Sequence, residues 1–196
     1  MRIYGDGRRP LDSFKLDLTV QGVSLQLACL RRKGSRPTVV CLHGFGSTKE
    51  DYADLALHPD FLDRDLVVWD APGCGASSVG DPGAVSIPFL VKVASAALDA
   101  LELAEFHLVG HSMGGLTGLM FAKENCDRVL SFFDIEGNLA PEDCFLSRQI
   151  IDHPANSPED FLKGFKDRVG QRAEYSSALY VAALESKVQA GVVAPI

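Results

Sequence analysis

One serine occurs in a setting that could activate it as a nucleophile. Ser112 is the centre of Gly110-His-Ser-Met-Gly114, which matches the pattern G-x-S-x-G and lies between an apolar run and a helical pattern. Small neighbours relieve crowding around a serine on a sharp, strained strand-to-helix turn, and the N–H groups that begin the helix favour a developing anion. We therefore predict that Ser112 is a nucleophile; the alternative is a glycine-rich turn with an incidental serine.

A second loop could supply backbone donors for that anion. His43-Gly44-Phe45-Gly46 directly follows an apolar run. Its N–H groups, together with the N–H of Met113, would form a two-donor oxyanion hole above Ser112. We predict that His43 braces this loop and does not transfer protons.

The elements that would position these loops alternate along the chain. Residues 14–20 and 23–27 alternate apolar and polar side chains around Gln21-Gly22, which predicts a hairpin. Continuous apolar runs at 38–42, 65–69, 105–109 and 128–133 are typical of strands covered on both faces. Helical patterns follow the N-cap candidate Ser86 and occupy residues 113–123. This order predicts an antiparallel hairpin followed by a parallel sheet with helices on both faces.

After Gly137 the pattern becomes helical. Short helices are predicted over 145–151, 158–169 and 176–189, and no buried-strand run follows Phe133. We predict a sheet-bearing core over residues 1–136 and a helical segment over residues 137–196.

Composition narrows the possible functions. The 196 residues carry 26 acidic and 19 basic side chains, and 46% are hydrophobic, which excludes a disordered polar chain and argues against a nucleic-acid partner. Residues 1–9 do not resemble a signal peptide, and no apolar run is long enough to span a bilayer. Five cysteines without a C-x-x-C pair favour reduced thiols in the cytoplasm, and neither a metal nor an organic cofactor is predicted.

A third loop follows a buried strand in the same way as the two loops described above. Asp70-Ala-Pro-Gly-Cys-Gly-Ala-Ser77 follows another apolar run, and Asp70 is predicted to brace this turn. The His43-Gly44 loop, this turn and the Gly110–Gly115 elbow, in that order and spacing, resemble the α/β-hydrolase family. The resemblance implies the α/β-hydrolase fold with Ser112 as nucleophile, the N–H groups of Phe45 and Met113 as oxyanion donors, and a helical cap after the strand that ends near Glu136.

The chain departs from the family pattern at the remaining catalytic groups. The family order is serine, acid, histidine, with the histidine after the last strand, and none of the five histidines here fits that place. Asp134 and Glu136 are both candidates for the acid: side-chain alternation puts them on one face, and Glu136 is nearer the loop mouth. Either could instead be a strand-end cap or could hold the helical cap in place.

Two functions of different classes stay open. The first is an esterase-like serine hydrolase that forms an acyl-enzyme with a small acyl substrate, and an acyltransferase or a carbon–carbon bond hydrolase would use the same elbow. The second is a non-catalytic protein of this fold that binds a small ligand or a partner. Because the last strands and the histidine are missing, we expect a shortened form that is inactive or weak, with an exposed sheet edge that could support an oligomer.

Overall fold

The strands of the chain form one mixed sheet. The computed structural model describes residues 11–171 and 175–196. The strands are β1 Asp12–Val20, β2 Val23–Arg32, β3 Arg36–Leu42, β4 Arg64–Trp69, β5 Ser78–Val79, β6 Phe106–His111 and β7 Val129–Ile135. Their order is β1-β2-β4-β3-β6-β7, with the short β5 paired to β2. The prediction for residues 1–9 lies outside the described residues.

The predicted hairpin is confirmed. β1 and β2 pair antiparallel from Asp12 opposite Arg31 to Val20 opposite Val23. Gln21 and Gly22 both have positive φ, 51° and 82°, which is the type I′ turn that matches the twist of a two-residue hairpin. β2 then pairs antiparallel with β4, while the pairs β3–β4, β3–β6 and β6–β7 are parallel.

Helices cover both faces of the sheet, as predicted. Two helices pack on one face, α1 Ile87–Ala100 and α2 Met113–Glu124. Ser86 caps α1, because its side chain accepts from the N–H of Phe89 at 3.4 Å. The 3-10 helix Lys49–Leu57 packs on the other face. Successive residues of β3 and β4 therefore point into two different apolar layers, which explains their continuous hydrophobic sequences.

The predicted helical character after β7 is also present. The helices are α3 Phe145–Asp152, α4 Pro158–Gly170 and α5 Tyr175–Lys187. Four side chains of α4 enter the same apolar cluster as the sheet and α1, namely Phe161, Leu162, Phe165 and Val169. Three residues after α5 enter it too, namely Val188, Val192 and Val193. The two parts of the chain thus share a core, and the division at residue 136 stays a prediction.

The end of α5 is attached to the turn after β4. The N–H of Gly75 donates to Lys187 O and the N–H of Gln189 donates to Gly73 O, each at 2.8 Å. Cys74 and Val188 form an isolated antiparallel bridge between these two bonds.

One edge of the sheet is open along the described chain. β7 pairs only with β6, and Leu130 and Phe133 on β7 are 47% and 65% exposed. Of the helices in the described ranges, none is both long and apolar enough to cross a bilayer.

Candidate active site

Ser112 occupies the predicted elbow between β6 and α2. Its backbone has φ 51° and ψ −118°, a combination that non-glycine residues rarely adopt. Its N–H donates to Ile135 O at 2.9 Å and its carbonyl accepts from Leu116, so the neighbouring strand and the helix hold the strained residue in place.

The glycines of the elbow permit close backbone approach. A Cβ on Gly114 would stand 2.2 Å from Leu42 O, and a Cβ on Gly110 would stand 2.5 Å from Gly114 O. Larger residues at these positions would push α2 away from β3 and β6. The G-x-S-x-G pattern therefore seats the helix as well as shaping the turn.

A cavity of about 730 Å³ opens at Ser112. From the core it is lined by Phe45, Ser112 and Glu136. The helical region contributes Asp143, Phe165, Val169, Ser176, Ser177 and Tyr180. The wall is therefore apolar on one part and rich in hydroxyls and carboxylates on another.

Of the two predicted oxyanion donors, Phe45 lines this cavity, from the loop after β3. Met113 follows Ser112 as the first residue of α2. Within the part of the chain that the structure describes, neither N–H donates to a protein acceptor. Gly44 brings the loop close to the elbow, since a Cβ there would stand 3.0 Å from the Cβ of Ser112.

His43 is buried beneath the loop and bonded at both ring nitrogens. Nδ1–H donates to Gly44 O and Nε2 accepts from the N–H of Ala71, both at 2.8 Å. Burial lowers the pKa of His43, which favours the neutral ring that these two bonds require. The ring joins the loop to the turn after β4, which supports the interpretation of His43 as a brace.

Asp70 joins the same two loops. Its carboxylate accepts from the N–H of Lys49 and the N–H of Ala76, and it also accepts from Lys49 Nζ. Burial disfavours the charged ammonium of Lys49, but the bonds to Asp70 and Glu50 prevail and raise its pKa. These contacts support a bracing role for Asp70.

None of the five histidines lines the cavity. His107 lies on β6 and bonds Ser131, His58 caps a 3-10 helix, and His153 ends α3. His111 points toward Gly44 and reaches Glu136, with 3.7 Å between Nε2 and Oε2. These residues leave Ser112 without a histidine base.

The two candidate acids do not share a face, contrary to the sequence-based expectation. Asp134 points at Gly115 of α2 and Gly137, and its buried Oδ1 has no partner among the described residues. Glu136 follows the end of β7 with φ 52°, which breaks the strand alternation and turns its side chain toward His111 and the cavity. Glu136 therefore lines the cavity, whereas Asp134 does not.

The structure adds Tyr180, which sequence analysis did not single out. It lies on α5, lines the cavity and contacts Phe45 in the loop after β3, 135 residues away in sequence. Nothing local in the sequence around Tyr180 distinguishes it from the other apolar residues of the helix. Across residues 11–171 and 175–196, no group of three His, Cys, Asp or Glu side chains is placed to hold a metal ion.

Comparison with known proteins identifies the family. The profile of the family described as "alpha/beta hydrolase fold" matches residues 37–177, well over half of the chain. The chain belongs to the alpha/beta hydrolase fold family. A hydrolase from Pseudomonas aeruginosa has a similar fold, with a TM-score of 0.68 at 23% identity over 92% of this chain and 70% of that one.

Curated relatives of this alpha/beta hydrolase fold chain match only in part. A 2-hydroxy-6-oxononadienedioate/2-hydroxy-6-oxononatrienedioate hydrolase of Escherichia coli K12 is 33% identical over 96 residues, 47% of this chain and 33% of that protein. The acetyltransferase component of the acetoin cleaving system of Pseudomonas putida is 36% identical over 104 residues, 50% of this chain and 26% of that protein. The matches span about a third or less of these relatives.

Proposed function

We propose that the chain carries the nucleophile and the oxyanion hole of a serine hydrolase acting on a small acyl substrate. The observation that carries the proposal is Ser112 itself, held at positive φ where β6 meets α2 and opening onto a cavity shared with Phe45. Backbone strain of this kind persists where the surrounding structure enforces it, and it clusters at functional positions.

The proposed reaction uses two backbone donors. Ser112 Oγ passes its proton to a general base as it attacks the carbonyl carbon, and the carbonyl oxygen becomes an oxyanion that accepts from the N–H groups of Phe45 and Met113. Collapse of the tetrahedral intermediate expels the leaving group, which takes up that proton, and leaves an acyl-enzyme on Ser112. Attack by water then releases the acid.

The lining of the cavity supports a choice for the acid and the general base. We assign Glu136 as the acid in preference to Asp134, because Glu136 shares the cavity with Ser112. We propose that the general base is a histidine outside these 196 residues, because none of their five histidines lines the cavity. Loss of one member of such a triad lowers the rate by several orders of magnitude, so we expect this chain alone to be weak or inactive.

The substrate is proposed to be small and to contact the helical region. A volume of about 730 Å³ falls within the range of small-molecule sites. Residues 137–196 would act as a cap, since Phe165, Val169 and Tyr180 offer an apolar wall to an acyl group. All five cysteines are free, which fits a reducing compartment, and we propose the cytoplasm.

A second candidate is a non-catalytic protein of this fold that binds a small ligand. The observation that favours it is the cavity at Ser112 without a histidine base. An acyltransferase that uses the same elbow is a variant of the first proposal, and similarity to an acetyltransferase component supports keeping it.

The test is covalent labelling of Ser112. The chain, and any longer protein that contains it, would be treated with a fluorophosphonate probe and digested for mass spectrometry. We expect an adduct on Ser112 that is absent from Ser112→Ala, with faster labelling in a form that supplies the histidine. Ligand binding without an adduct in either form would overturn the hydrolase and support the binding protein.

A further inference from the structure

The side chain of Tyr180 lies across the loop that carries Phe45. Its hydroxyl donates to Phe45 O at 3.4 Å, which is long for an O–H···O bond. Its side chain lies against Gly46, where an added Cβ would stand 2.5–2.8 Å from two ring carbons and the hydroxyl oxygen. Gly46 has φ 77°, a backbone conformation that favours glycine. Because glycine has no Cβ, the position also leaves room for the ring of Tyr180.

The position of Tyr180 is fixed from the helical side. Its ring meets Phe165 of α4 edge-on, with 6.4 Å between centroids and 78° between planes, and Phe165 is 1% exposed. Burial raises the pKa of Tyr180 to about 12, so the hydroxyl remains a donor across the physiological range. Helices α4 and α5 thus present a rigid aromatic donor to the loop.

The loop itself has few internal constraints. Between residues 44 and 47 the backbone bond in the described chain is Ser47 N–H to Gly44 O, at 3.2 Å. His43 holds the start of the loop and Lys49 holds its end, which leaves the Phe45–Gly46 peptide between the two braces. An oxyanion donor must stand about 2.7–3.1 Å from the developing charge, so the backbone of Phe45, whose N–H is the proposed donor, has to be well oriented.

We propose that Tyr180 is a positioning residue of the oxyanion hole: from α5 it holds the Phe45 carbonyl and the Gly46 backbone, which restricts rotation of the Phe45 backbone and thereby aims the Phe45 N–H at the reacting oxygen. The inference rests on the proposed function of Ser112 and Phe45. It implies that the oxyanion hole forms only when α5 is packed against the loop that contains Phe45. Tyr180 itself does not touch the reacting atoms in this mechanism.

The chain offers a matched control in Tyr52. Its hydroxyl also donates to a backbone carbonyl, Leu42 O at 3.3 Å, and burial raises its pKa. Tyr52 lies in the opposite apolar layer of the sheet and does not line the Ser112 cavity. Tyr52→Phe therefore removes the same chemical group outside the site.

The experiment compares Tyr180→Phe, Tyr52→Phe and the unchanged chain in two measurements. The first is the second-order rate of fluorophosphonate labelling at Ser112, which depends on stabilising the phosphonyl oxygen. We expect about a tenfold loss in Tyr180→Phe, less than the loss of a whole oxyanion donor, and no more than about twofold in Tyr52→Phe. The second is the backbone order parameter of Phe45 and Gly46 by NMR relaxation, which should fall only in Tyr180→Phe.

The outcomes separate the two proposals. An unlabelled Ser112 in the unchanged chain and in every longer form would overturn the hydrolase proposal. A labelled Ser112 whose rate is the same in Tyr180→Phe and Tyr52→Phe would overturn the positioning role and leave the hydrolase standing. Unchanged order parameters of Phe45 and Gly46 in Tyr180→Phe would also overturn the positioning role.

Discussion

Lys49 and Asp70 form a buried ion pair that joins the loop after β3 to the end of β4. Lys49 Nζ lies 2.8 Å from Asp70 Oδ2, and the two side chains are 7% and 0% exposed. The backbone N–H of Lys49 donates to the other carboxylate oxygen at 2.8 Å. One carboxylate therefore holds both the charge and the backbone of the residue that ends the loop.

Asp70→Asn should destabilise the fold strongly, because it leaves the Lys49 ammonium buried without its main counter-charge. We expect a loss of about 3–5 kcal/mol in the free energy of unfolding, measured by urea denaturation. Glu124→Gln breaks the exposed pair with Lys92 and should cost less than about 1 kcal/mol. Adding Lys49→Met to Asp70→Asn should recover part of the loss; equal costs at Asp70 and Glu124 would contradict the prediction.

Stability should fall at alkaline pH because of three buried thiols. Burial raises the pKa of Cys29, Cys41 and Cys74 to about 12, against about 8.5 in an unfolded chain. The native state then keeps protons that the unfolded state releases, so this stabilisation is complete below about pH 8.5 and is lost as pH rises toward 12. Each thiol contributes a slope of up to about 1.4 kcal/mol per pH unit.

Urea denaturation between pH 7 and pH 10.5 under reducing conditions measures that slope. Cys41→Ala should make it shallower, whereas Ser at the exposed Cys126 should leave it unchanged. A Cys41→Ala variant that loses stability as steeply as the unchanged chain would show that burial of this thiol is not the cause.

Ser112→Gly should stabilise the fold while it removes the proposed nucleophile. Glycine adopts φ 51° without the crowding that a side chain suffers there, so we expect a gain of about 1 kcal/mol in the free energy of unfolding. Ser112→Ala keeps a Cβ and should leave stability nearly unchanged. The measurement is again urea denaturation, and equal stability of the glycine and alanine variants would show that Ser112 carries no strain.

The open edge of β7 should promote self-association. Phe133 is 65% exposed beside unpaired backbone groups, and edge strands of this kind pair with other chains unless a charge or proline blocks them. We expect concentration-dependent dimers by sedimentation equilibrium and a weakening of at least about tenfold in Phe133→Lys. Leu62→Lys, at a 40% exposed position near a 3-10 helix, should not change the association. A monomer at all concentrations would contradict the prediction.

The structural features that depend only on neighbouring residues could be predicted from the sequence. The Gln21-Gly22 turn, the Ser86 cap and the elbow at Ser112 are local patterns, and each lies where it was predicted. The orientation of Glu136 was not predictable, because its positive φ interrupts the alternation of β7 immediately after the strand ends. Tyr180 was missed because its partner lies 135 residues earlier, and only the packing of α5 brings the two together.

The attachment of α5 to the turn after β4 limits how the cavity can admit a substrate. Hydrogen bonds on both sides of the Cys74–Val188 bridge fasten the end of the helix, and Val192 and Val193 continue into the core. Backbone bonds and apolar packing therefore hold this end of α5 against the core. For the substrate of the proposed hydrolase, we therefore expect passage to Ser112 to run past the chain between β7 and α4, which contributes Gly137, Asn138 and Asp143 to the lining of the cavity.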